Sequence, residues 1–173
     1  LDQAEALVAL AEKQQRTLMV GFNRRLAPFY QTIKEQMPAA AAVRFEKHRI
    51  HGISNPLRFT MFDDYLHLLD TVLWLCDGDL SLLASQVNAT AQDELIFAGH
   101  VFRHDNKLIT TAMHRDAGTQ AEMLEVITHG AVMRVRDLNR LEDERDGKIC
   151  VSTAGSWQTI LELLGFTPMV EHF

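Results

Sequence analysis

Hydrophobic residues recur along this chain with two different periods. In much of the first half they return every three or four positions, which is the spacing of one helix face. Beyond Ser81 they alternate with polar residues over short segments that end in turn residues, which is typical of strands. The pattern predicts an α+β fold, in which helices pack on one face of an open, mainly antiparallel sheet.

Segment 62–76 has the clearest helical pattern. Its apolar positions cover most of the helix surface and comprise Leu66, Leu69, Val72, Leu73 and Cys76. At about 100° per residue, one polar stripe remains within roughly 60° of arc, formed by Asp63, His67, Asp70 and Trp74. Thr60 and Asp63 resemble a capping box, so we expect the helix to begin near Thr60.

The polar stripe has two interpretations. Burying ionisable groups is costly unless they are paired or face a cavity, so Asp63 and His67 need a physical reason on a mostly apolar helix. The first is a structural hydrogen bond near the positive end of the helix dipole. The second is a carboxylate that orients a catalytic imidazole. The spacing alone leaves both open.

Four further elements are predicted in the first half. The pattern indicates an amphipathic helix over 2–14, a strand buried on both faces over 17–22, and a helix over 28–36. From Ala42, a period of two predicts a half-exposed strand with Val43, Phe45 and Lys47 on one face. After Ser81 come strands over 85–90, 94–103, 107–114, 122–128, 131–138 and 148–151, followed by a helix from about Pro168.

Two polar loops are candidate binding segments. Residues 23–28 are polar and basic and follow the predicted buried strand, and ligands gather at the carboxyl ends of strands in open α/β sheets. Two arginines that simply solvate a loop would give the same pattern. Residues 51–56 form a turn-rich loop that leads into the central helix.

Composition narrows the class of protein. The chain has 173 residues, of which 47% are hydrophobic, and 17 Lys and Arg against 23 Asp and Glu give a net charge of −6. Since the chain has no basic block, nucleic acid is not an expected partner. No apolar run approaches the roughly 20 residues of a membrane span, so a cytoplasmic protein with no membrane contact is expected.

No cofactor motif is visible in the chain itself. Its nine glycines never fall in a dinucleotide-binding or phosphate-loop spacing. His100 and His104 share a strand face without a nearby cysteine or carboxylate in sequence, whereas metal sites normally use three or four ligands. We therefore expect no metal.

Three segments in this order resemble the Gfo/Idh/MocA family of oxidoreductases, and within it the MviM branch. The first is Leu-Met-Val-Gly-Phe-Asn-Arg-Arg-Leu-Ala-Pro-Phe-Tyr over 18–30. The second is Asp63-x-x-x-His67-x-x-Asp70 with Trp74-Leu75 and Gly78. The third is Glu-Val-Ile-Thr-His-Gly over 125–130. The resemblance runs over essentially the whole chain.

The resemblance implies a domain organisation and an activity. Family members combine an N-terminal Rossmann domain that binds NAD or NADP with a C-terminal α+β domain. Residues 1–22 would then be a remnant of the Rossmann domain, and residues 23–173 the substrate-binding and oligomerisation domain. The implied reaction moves a hydride between nicotinamide and a hydroxyl-bearing carbon of a sugar or cyclitol.

The resemblance also implies residue roles. His67 would be the catalytic acid-base or substrate-orienting group, and Asp63 its partner or a second proton-handling residue. Asn23 and Arg25 would contact the cofactor or the substrate. The candidates for substrate binding are Arg24, His51, Asn55 and Asp70.

The sequence departs from the family in three places. The family's Glu-Lys-Pro element would lie upstream of Leu1, and Glu46-Lys47-His48 only imitates it. The glycine-rich dinucleotide loop is missing. Two residues before the histidine of the motif, many members have glycine and this chain has Tyr65. The larger side chain is expected to narrow the substrate pocket.

These departures predict a piece of a longer protein that is inactive alone. We expect NAD or NADP in the full-length protein and no cofactor on this chain alone. Without the Rossmann domain, the apolar face of the first predicted helix and strand would be exposed. Exposed apolar surfaces promote association, so we expect a homodimer or larger species. The alternative is a non-catalytic dimerisation or ligand-binding module that retains the fold.

Overall fold

The computed structural model describes residues 2–173. Its eight strands are β1 (Ala40–His48), β2 (Ser81–Ala89), β3 (Leu95–His104), β4 (Lys107–His114), β5 (Ala121–Thr128), β6 (Ala131–Arg136), β7 (Arg140–Arg145) and β8 (Lys148–Thr153). They form a single sheet in the order β2-β3-β4-β1-β5-β6-β7-β8. β1 lies parallel to β4, and every other neighbouring pair is antiparallel. The expected open, mainly antiparallel sheet is confirmed.

One strand has no apolar pattern in the sequence. β7 reads Arg-Leu-Glu-Asp-Glu-Arg, which has none of the apolar alternation that identifies a strand. It is held by ladders to β6 and β8 and by ion pairs with neighbouring arginines. Cross-strand pairs of opposite charge stabilise such a strand without apolar residues.

The helices are α1 (Asp2–Lys13), α2 (Pro28–Gln36), α3 (Leu57–Thr60), α4 (Leu66–Leu75), α5 (Ile160–Leu163) and α6 (Phe166–His172). Short 3₁₀ segments cover Asn23–Leu26 and Met37–Ala39. A π-helical segment, Met61–Tyr65, joins α3 to α4. No helix among the described residues is long and apolar enough to cross a membrane.

Two sequence expectations about these segments were wrong. The central helix begins at Leu57, and Thr60 lies inside it, where its side chain makes no capping hydrogen bond. Residues 17–22 form no strand in the described chain. Leu18 and Val20 in that segment are exposed, and an apolar run without a neighbouring strand has no ladder to join.

The core lies between one face of the sheet and helices α2 and α4. Strand residues Phe45 and Leu124 are fully buried, as are Tyr30 and Ile33 on α2. The rings of Tyr30 and Phe45 meet edge to face, with centroids 5.8 Å apart. Because the face of β1 that carries Phe45 also carries Lys47, the pleat of the strand brings a lysine into this core.

The C-terminal helices are attached to the 3₁₀ segment Asn23–Leu26. Asn23 is buried, and its side-chain amide donates to the carbonyl of Leu164 at 2.6 Å. The next residue, Gly165, has a φ of 81°. A Cβ atom at Gly165 would lie only 2.2 Å from the carbonyl oxygen of Asn23. A residue without Cβ is therefore required for this contact.

We expect Gly165→Ala to destabilise the chain strongly. The matched control is Gly147→Ala, because Gly147 has a φ of 69° but a Cβ atom at this position would have nothing within 4 Å. The control should cost about 1 kcal/mol, the penalty for a left-handed alanine. Gly165→Ala should cost at least about 3 kcal/mol, because backbone must also shift. Urea unfolding measures both, and equal costs would contradict the proposed backbone contact.

Candidate functional site

Lys47 is the most unusual side chain of the helix-covered sheet face. Only 2% of it is exposed. Its Nζ contacts the carboxylate of Asp64, in the π-helical segment, and lies 3.7 Å from Oε2 of Glu122 at the start of β5. A buried ammonium requires such partners, because transfer of an isolated charge from water is costly.

Glu122 is itself fully engaged. Arg24 donates to both of its carboxylate oxygens, with distances of 2.7 and 2.8 Å. The hydroxyl of Tyr30 donates to it at 2.9 Å. This two-point pairing links the 3₁₀ segment and α2 to β5.

Asp64 joins two more cations. Arg115 donates to it and also, through Nε, to the carbonyl of Gly52 at 3.1 Å. Arg49 approaches it at 3.5 Å. We call the combined group the buried ion network, and it consists of Arg24, Lys47, Arg49, Asp64, Arg115 and Glu122.

The network perturbs its own protonation equilibria. Although burial raises the pKa of Glu122 and Asp64, their cationic neighbours outweigh it and hold both pKa values below the usual range. Burial lowers the pKa of Lys47, and the Arg24 cation lowers it further. Asp64 and Glu122 are therefore expected to be ionised, because the surrounding cations compensate their negative charges.

His67 lies on α4, the helix that follows the π-helical segment. It is half-buried, and its ring meets that of Phe22 edge to face, with centroids 6.1 Å apart. Its Nδ1 is buried without a hydrogen-bond partner, the only such side-chain nitrogen or oxygen among residues 2–173. Nε2 is therefore the ring nitrogen left to meet a ligand.

His67 is favoured in its neutral form. Burial lowers its pKa below the ordinary value, and the cations of Arg24 and Lys47 lower it further. Glu122 and Asp64 oppose this shift only in part. A neutral imidazole in a partly buried site is suited to proton exchange near neutral pH.

The structure does not bring Asp63 and His67 together. Asp63 is exposed and lines a groove with Phe59, Phe62 and Ala4 of α1. No Asp63 oxygen lies within 4.0 Å of a His67 nitrogen in the described chain. The π-helical segment changes the angular spacing of the helix, so that Asp64 rather than Asp63 faces the buried ion network.

The other candidates from the 23–28 loop have internal partners. Arg25 pairs through two nitrogens with Asp70, the Nε to Oδ2 distance being 2.9 Å, and its guanidinium also lies over the ring of Phe22. The side-chain amide of Asn23 donates a hydrogen bond to the carbonyl of Leu164. Of this group, Arg25 retains the largest accessible surface, with 42% of its side chain exposed.

His51 and Asn55 lie apart from the buried ion network. Both are exposed in the loop before α3. His51 Nδ1 lies 3.3 Å from a carboxylate oxygen of Asp116. The loop does approach the network, because Gly52 accepts a hydrogen bond from Arg115.

The sequence contained one signal for the residues that were missed. Lys47 falls on the apolar face of a strand with a period of two, where a lysine must find buried partners. Asp64 and Glu122 carry no such signal, since their positions follow from the π-helical segment and from strand pairing. The roles of Arg49 and Arg115 also cannot be predicted from the sequence, because only the fold brings these residues to Asp64.

Tyr65 and His100 form a second buried polar group. The Tyr65 hydroxyl lies 2.5 Å from His100 Nδ1 and 2.7 Å from the Thr111 hydroxyl. Burial raises the pKa of Tyr65 to about 12 and lowers that of His100. No group of three or more potential metal-ligating side chains is found in residues 2–173.

Comparison with known proteins places the chain in a family. Residues 28–146 match the model described as "YceM-like, C-terminal domain". The chain is 43% identical over 174 residues to the "Putative oxidoreductase YceM" of Salmonella typhimurium. This alignment covers the whole chain but only 57% of the relative. The chain therefore belongs to the family of YceM-like C-terminal domains.

Solved structures agree with this assignment. A dehydrogenase named MviM from Clostridium difficile has a TM-score of 0.94 and 36% identity, covering 99% of this chain and 57% of that one. A Gfo/Idh/MocA family oxidoreductase from Vibrio cholerae has a TM-score of 0.82 and 26% identity, covering 99% and 56%. The expected resemblance to the C-terminal part of these oxidoreductases is confirmed.

A more distant structure shares the fold alone. It is an oxidoreductase from Agrobacterium radiobacter in complex with NAD⁺, L-tartaric acid and magnesium. Its TM-score is 0.71 at 18% identity, covering 98% of this chain and 56% of that one.

We expect Glu122→Gln to destabilise the chain by about 3 kcal/mol at neutral pH, because it leaves buried cations uncompensated. The pKa of Glu122 is lowered on folding, so its contribution is complete above the unfolded value of 4.5 and is lost as pH falls through the folded value. The gap between variant and parent should therefore narrow below pH 4.5. Urea unfolding across pH measures this gap.

The matched control is Glu35→Gln. Glu35 is exposed on α2 and takes part in no ion pair of the described chain. It should change stability by less than about 0.5 kcal/mol at every pH. A similar loss in the two variants would show that the Glu122 pairs contribute nothing measurable.

Proposed function

We propose that this chain is the substrate-binding and oligomerisation part of an NAD(P)-dependent oxidoreductase that acts on a hydroxyl group of a sugar, cyclitol or similar compound. On this proposal the chain is inactive alone and His67 is its catalytic residue. Support comes from the oxidoreductases that the chain resembles over their C-terminal parts. The chain spans 57% of the length of the curated relative.

The observation that carries the proposal is the environment of His67. Its Nδ1 is buried and unpartnered, and its ring packs against Phe22. Burial, with the Arg24 and Lys47 cations, lowers its pKa and favours the neutral imidazole. Oxidation of an alcohol must remove the hydroxyl proton, and a positioned imidazole suits that task. Nε2 would accept this proton in oxidation and return it in the reverse reaction.

What orients His67 differs from the expected arrangement. In a Ser-His-Asp triad, a carboxylate binds one imidazole nitrogen and sets the tautomer. Here no carboxylate reaches Nδ1, and the contact with Phe22 supplies packing in place of a hydrogen bond. The proposal therefore gives Asp63 a role at the rim of the site rather than as a ring-orienting partner.

The described residues do not complete a dinucleotide site. Asn23 is buried and donates to Leu164, so it cannot also reach a nicotinamide without breaking that contact. Arg25 is the one predicted cofactor contact with substantial exposure. We therefore assign no hydride-transfer step to this chain, and its proposed part in the reaction is the proton step at His67.

One observation favours the non-catalytic alternative. Arg24 is paired with Glu122, and Arg25 with Asp70, so these predicted ligand-binding groups are already satisfied within the chain. A ligand-binding or dimerisation module that retained the fold would look the same at these positions. Among residues 2–173, only His67 has a buried side-chain nitrogen or oxygen without a hydrogen-bond partner.

The decisive experiment compares this chain with the complete product of its gene. Fluorescence titration should show NADH or NADPH binding to the complete product and none to this chain. A dehydrogenase screen of sugars and cyclitols should then find turnover that His67→Gln lowers at least about 100-fold, the usual range for loss of an acid-base group.

The control for this variant is His129→Gln. His129 is exposed in the turn between β5 and β6, at the opposite end of β5 from Glu122, and its replacement should leave turnover unchanged. Turnover in the oxidation direction should also fall as pH drops below 6.5, because His67 titrates below that value. A complete product that binds neither cofactor would favour the non-catalytic module.

The proposal includes self-association. Leu7 and Leu10 on α1 are more than half exposed, as are Leu18 and Val20 in the following segment. Apolar residues clustered in this way promote contacts between copies. Sedimentation equilibrium of this chain should show a dimer or larger species, and Leu7→Gln with Leu10→Gln should shift it towards monomer. A concentration-independent monomer in the parent chain would contradict the proposal.

A further inference from the structure

We propose that Arg25 and Asp70 are positioning residues of the proposed site: paired with each other, they hold the ring of Phe22 against His67 and so set the orientation of the imidazole. The inference rests on the proposed function of His67. It gives Arg25 and Asp70 a role that differs from the cofactor and substrate contacts implied by the family resemblance. We call Phe22, Arg25 and Asp70 together the aromatic clamp.

Phe22 is the member of the clamp that contacts His67. It lies directly before the 3₁₀ segment and is half-buried. Its ring meets the imidazole edge to face, with centroids 6.1 Å apart, which is a favourable arrangement for two aromatic rings. The guanidinium carbon of Arg25 lies over the same ring, 5.5 Å from its centroid, where a cation is attracted to the aromatic face. Phe22 therefore contacts the imidazole and the guanidinium at once.

Asp70 fixes the position of that guanidinium. Arg25 donates to both carboxylate oxygens of Asp70, and the Nε to Oδ2 distance is 2.9 Å. A two-point pair of this kind restricts the guanidinium in orientation as well as in distance. The side chain of Asp70 is only 6% exposed, whereas that of Arg25 is 42% exposed. The buried carboxylate is therefore the anchored end of the pair.

The contacts form a closed ring that begins and ends on α4. His67 and Asp70 are three residues apart on this helix, so their side chains lie on the same face. From Asp70 the contacts run to Arg25, then to Phe22, and back to His67. Such a ring of contacts can orient the imidazole although its Nδ1 has no hydrogen-bond partner. Orientation matters because Nε2 must meet a hydroxyl group at a productive distance and angle.

Two other roles for Arg25 predict different results. If Arg25 bound the cofactor, its removal would raise the KM for the cofactor, and removal of the Phe22 ring would not. If the pair with Asp70 were purely structural, its removal would lower stability and leave His67 as it was. The clamp predicts that the imidazole moves and that kcat falls with little change in KM, because proton transfer is impaired rather than binding.

The first test observes the His67 ring directly in the complete gene product by ¹H–¹⁵N spectra, with His67 assigned from the spectrum of His67→Gln. The pH is held well above 6.5, where His67 is neutral. Neither Arg25→Met nor Asp70→Asn alters the Phe22 ring itself. Because the ring current at His67 depends on where the Phe22 ring lies, we expect both variants to shift the His67 ring protons. This measurement requires no substrate or cofactor.

The second test is kinetic and uses the best substrate of the dehydrogenase screen. We expect Arg25→Met, Asp70→Asn and Phe22→Leu each to lower kcat about 10-fold, because a misplaced reacting group slows catalysis. Arg25→Lys should restore part of the loss, since it keeps a cation but not the two-point pair. Arg25→Met combined with Phe22→Leu should lower kcat no further than Phe22→Leu alone, because Arg25 acts through the ring.

The matched control is Lys34→Met. Lys34 also pairs with an aspartate, Asp77, and its Nζ lies 5.6 Å from the centroid of the Trp74 ring. These contacts lie at the C-terminal end of α4, where Nζ also donates to the carbonyl of Trp74. The variant should lose stability without shifting the His67 ring protons or lowering kcat.

A further variant covers the case in which Arg25→Met does not fold. Arg25→Met leaves the buried carboxylate of Asp70 without its cation, which is costly. Arg25→Met combined with Asp70→Asn removes both charges of the pair. The double variant should shift the His67 ring protons and lower kcat as the single variants do.

The outcomes separate the inference from the proposed function. Unchanged His67 ring protons in folded variants without the pair overturn the inference and leave the proposed function of His67 standing. A raised KM for the cofactor with unchanged kcat in Arg25→Met also overturns it. Shifted ring protons with a lower kcat support it. Shifted ring protons in a gene product that turns over no hydroxyl compound would support the orientation of His67 by the clamp and overturn the proposed function.

Discussion

The pairing of Lys47 with two carboxylates constrains how the helices sit on the sheet. Its ammonium reaches Asp64 from the helical layer and Glu122 from β5, while Arg24 ties the loop before α2 to the same carboxylate. A buried ion pair adds little to stability over an apolar core, but losing one partner is severe, because the remaining charge stays buried. Each of these elements must therefore hold its position for the others to remain compensated.

Two histidines between the helices and the sheet, His67 on α4 and His100 on β3, have different surroundings. His100 bonds to Tyr65 on the β2 side of β1, and burial alone lowers its pKa. His67 packs against the ring of Phe22, and its Nδ1 has no hydrogen-bond partner. The two imidazoles therefore differ in their surroundings: Nδ1 of His100 has a hydrogen-bond partner, and Nδ1 of His67 has none.

Residue periodicity was sufficient to predict the layers of the fold but not its contacts. The alternation of Val43, Phe45 and Lys47 correctly predicted the inward face of β1, and Pro28 correctly marked the start of α2. The partners of Lys47 come from segments remote in sequence, which only strand order and register bring together. The π-helical segment was equally hidden, since a single extra residue in a helix leaves no periodic signal in so short a stretch. It is also the reason that the Asp63–His67 pairing expected from α-helical spacing is absent.

Nδ1 of His67 is the one buried side-chain nitrogen or oxygen without a hydrogen-bond partner in residues 2–173, and the polar groups of the buried ion network are paired. Nearly all buried polar groups in folded proteins have partners, and exceptions concentrate where a ligand or a reaction supplies the missing contact. Here the neighbouring arginines, carboxylates and tyrosine hydroxyl satisfy one another, so His67 Nδ1 is not part of a generally loose region. Packing that is complete except at the imidazole fits a site whose geometry is set in advance. On the proposed function, an imidazole packed against Phe22 would need little rearrangement to meet a hydroxyl group through Nε2, and proton exchange requires such preorganisation.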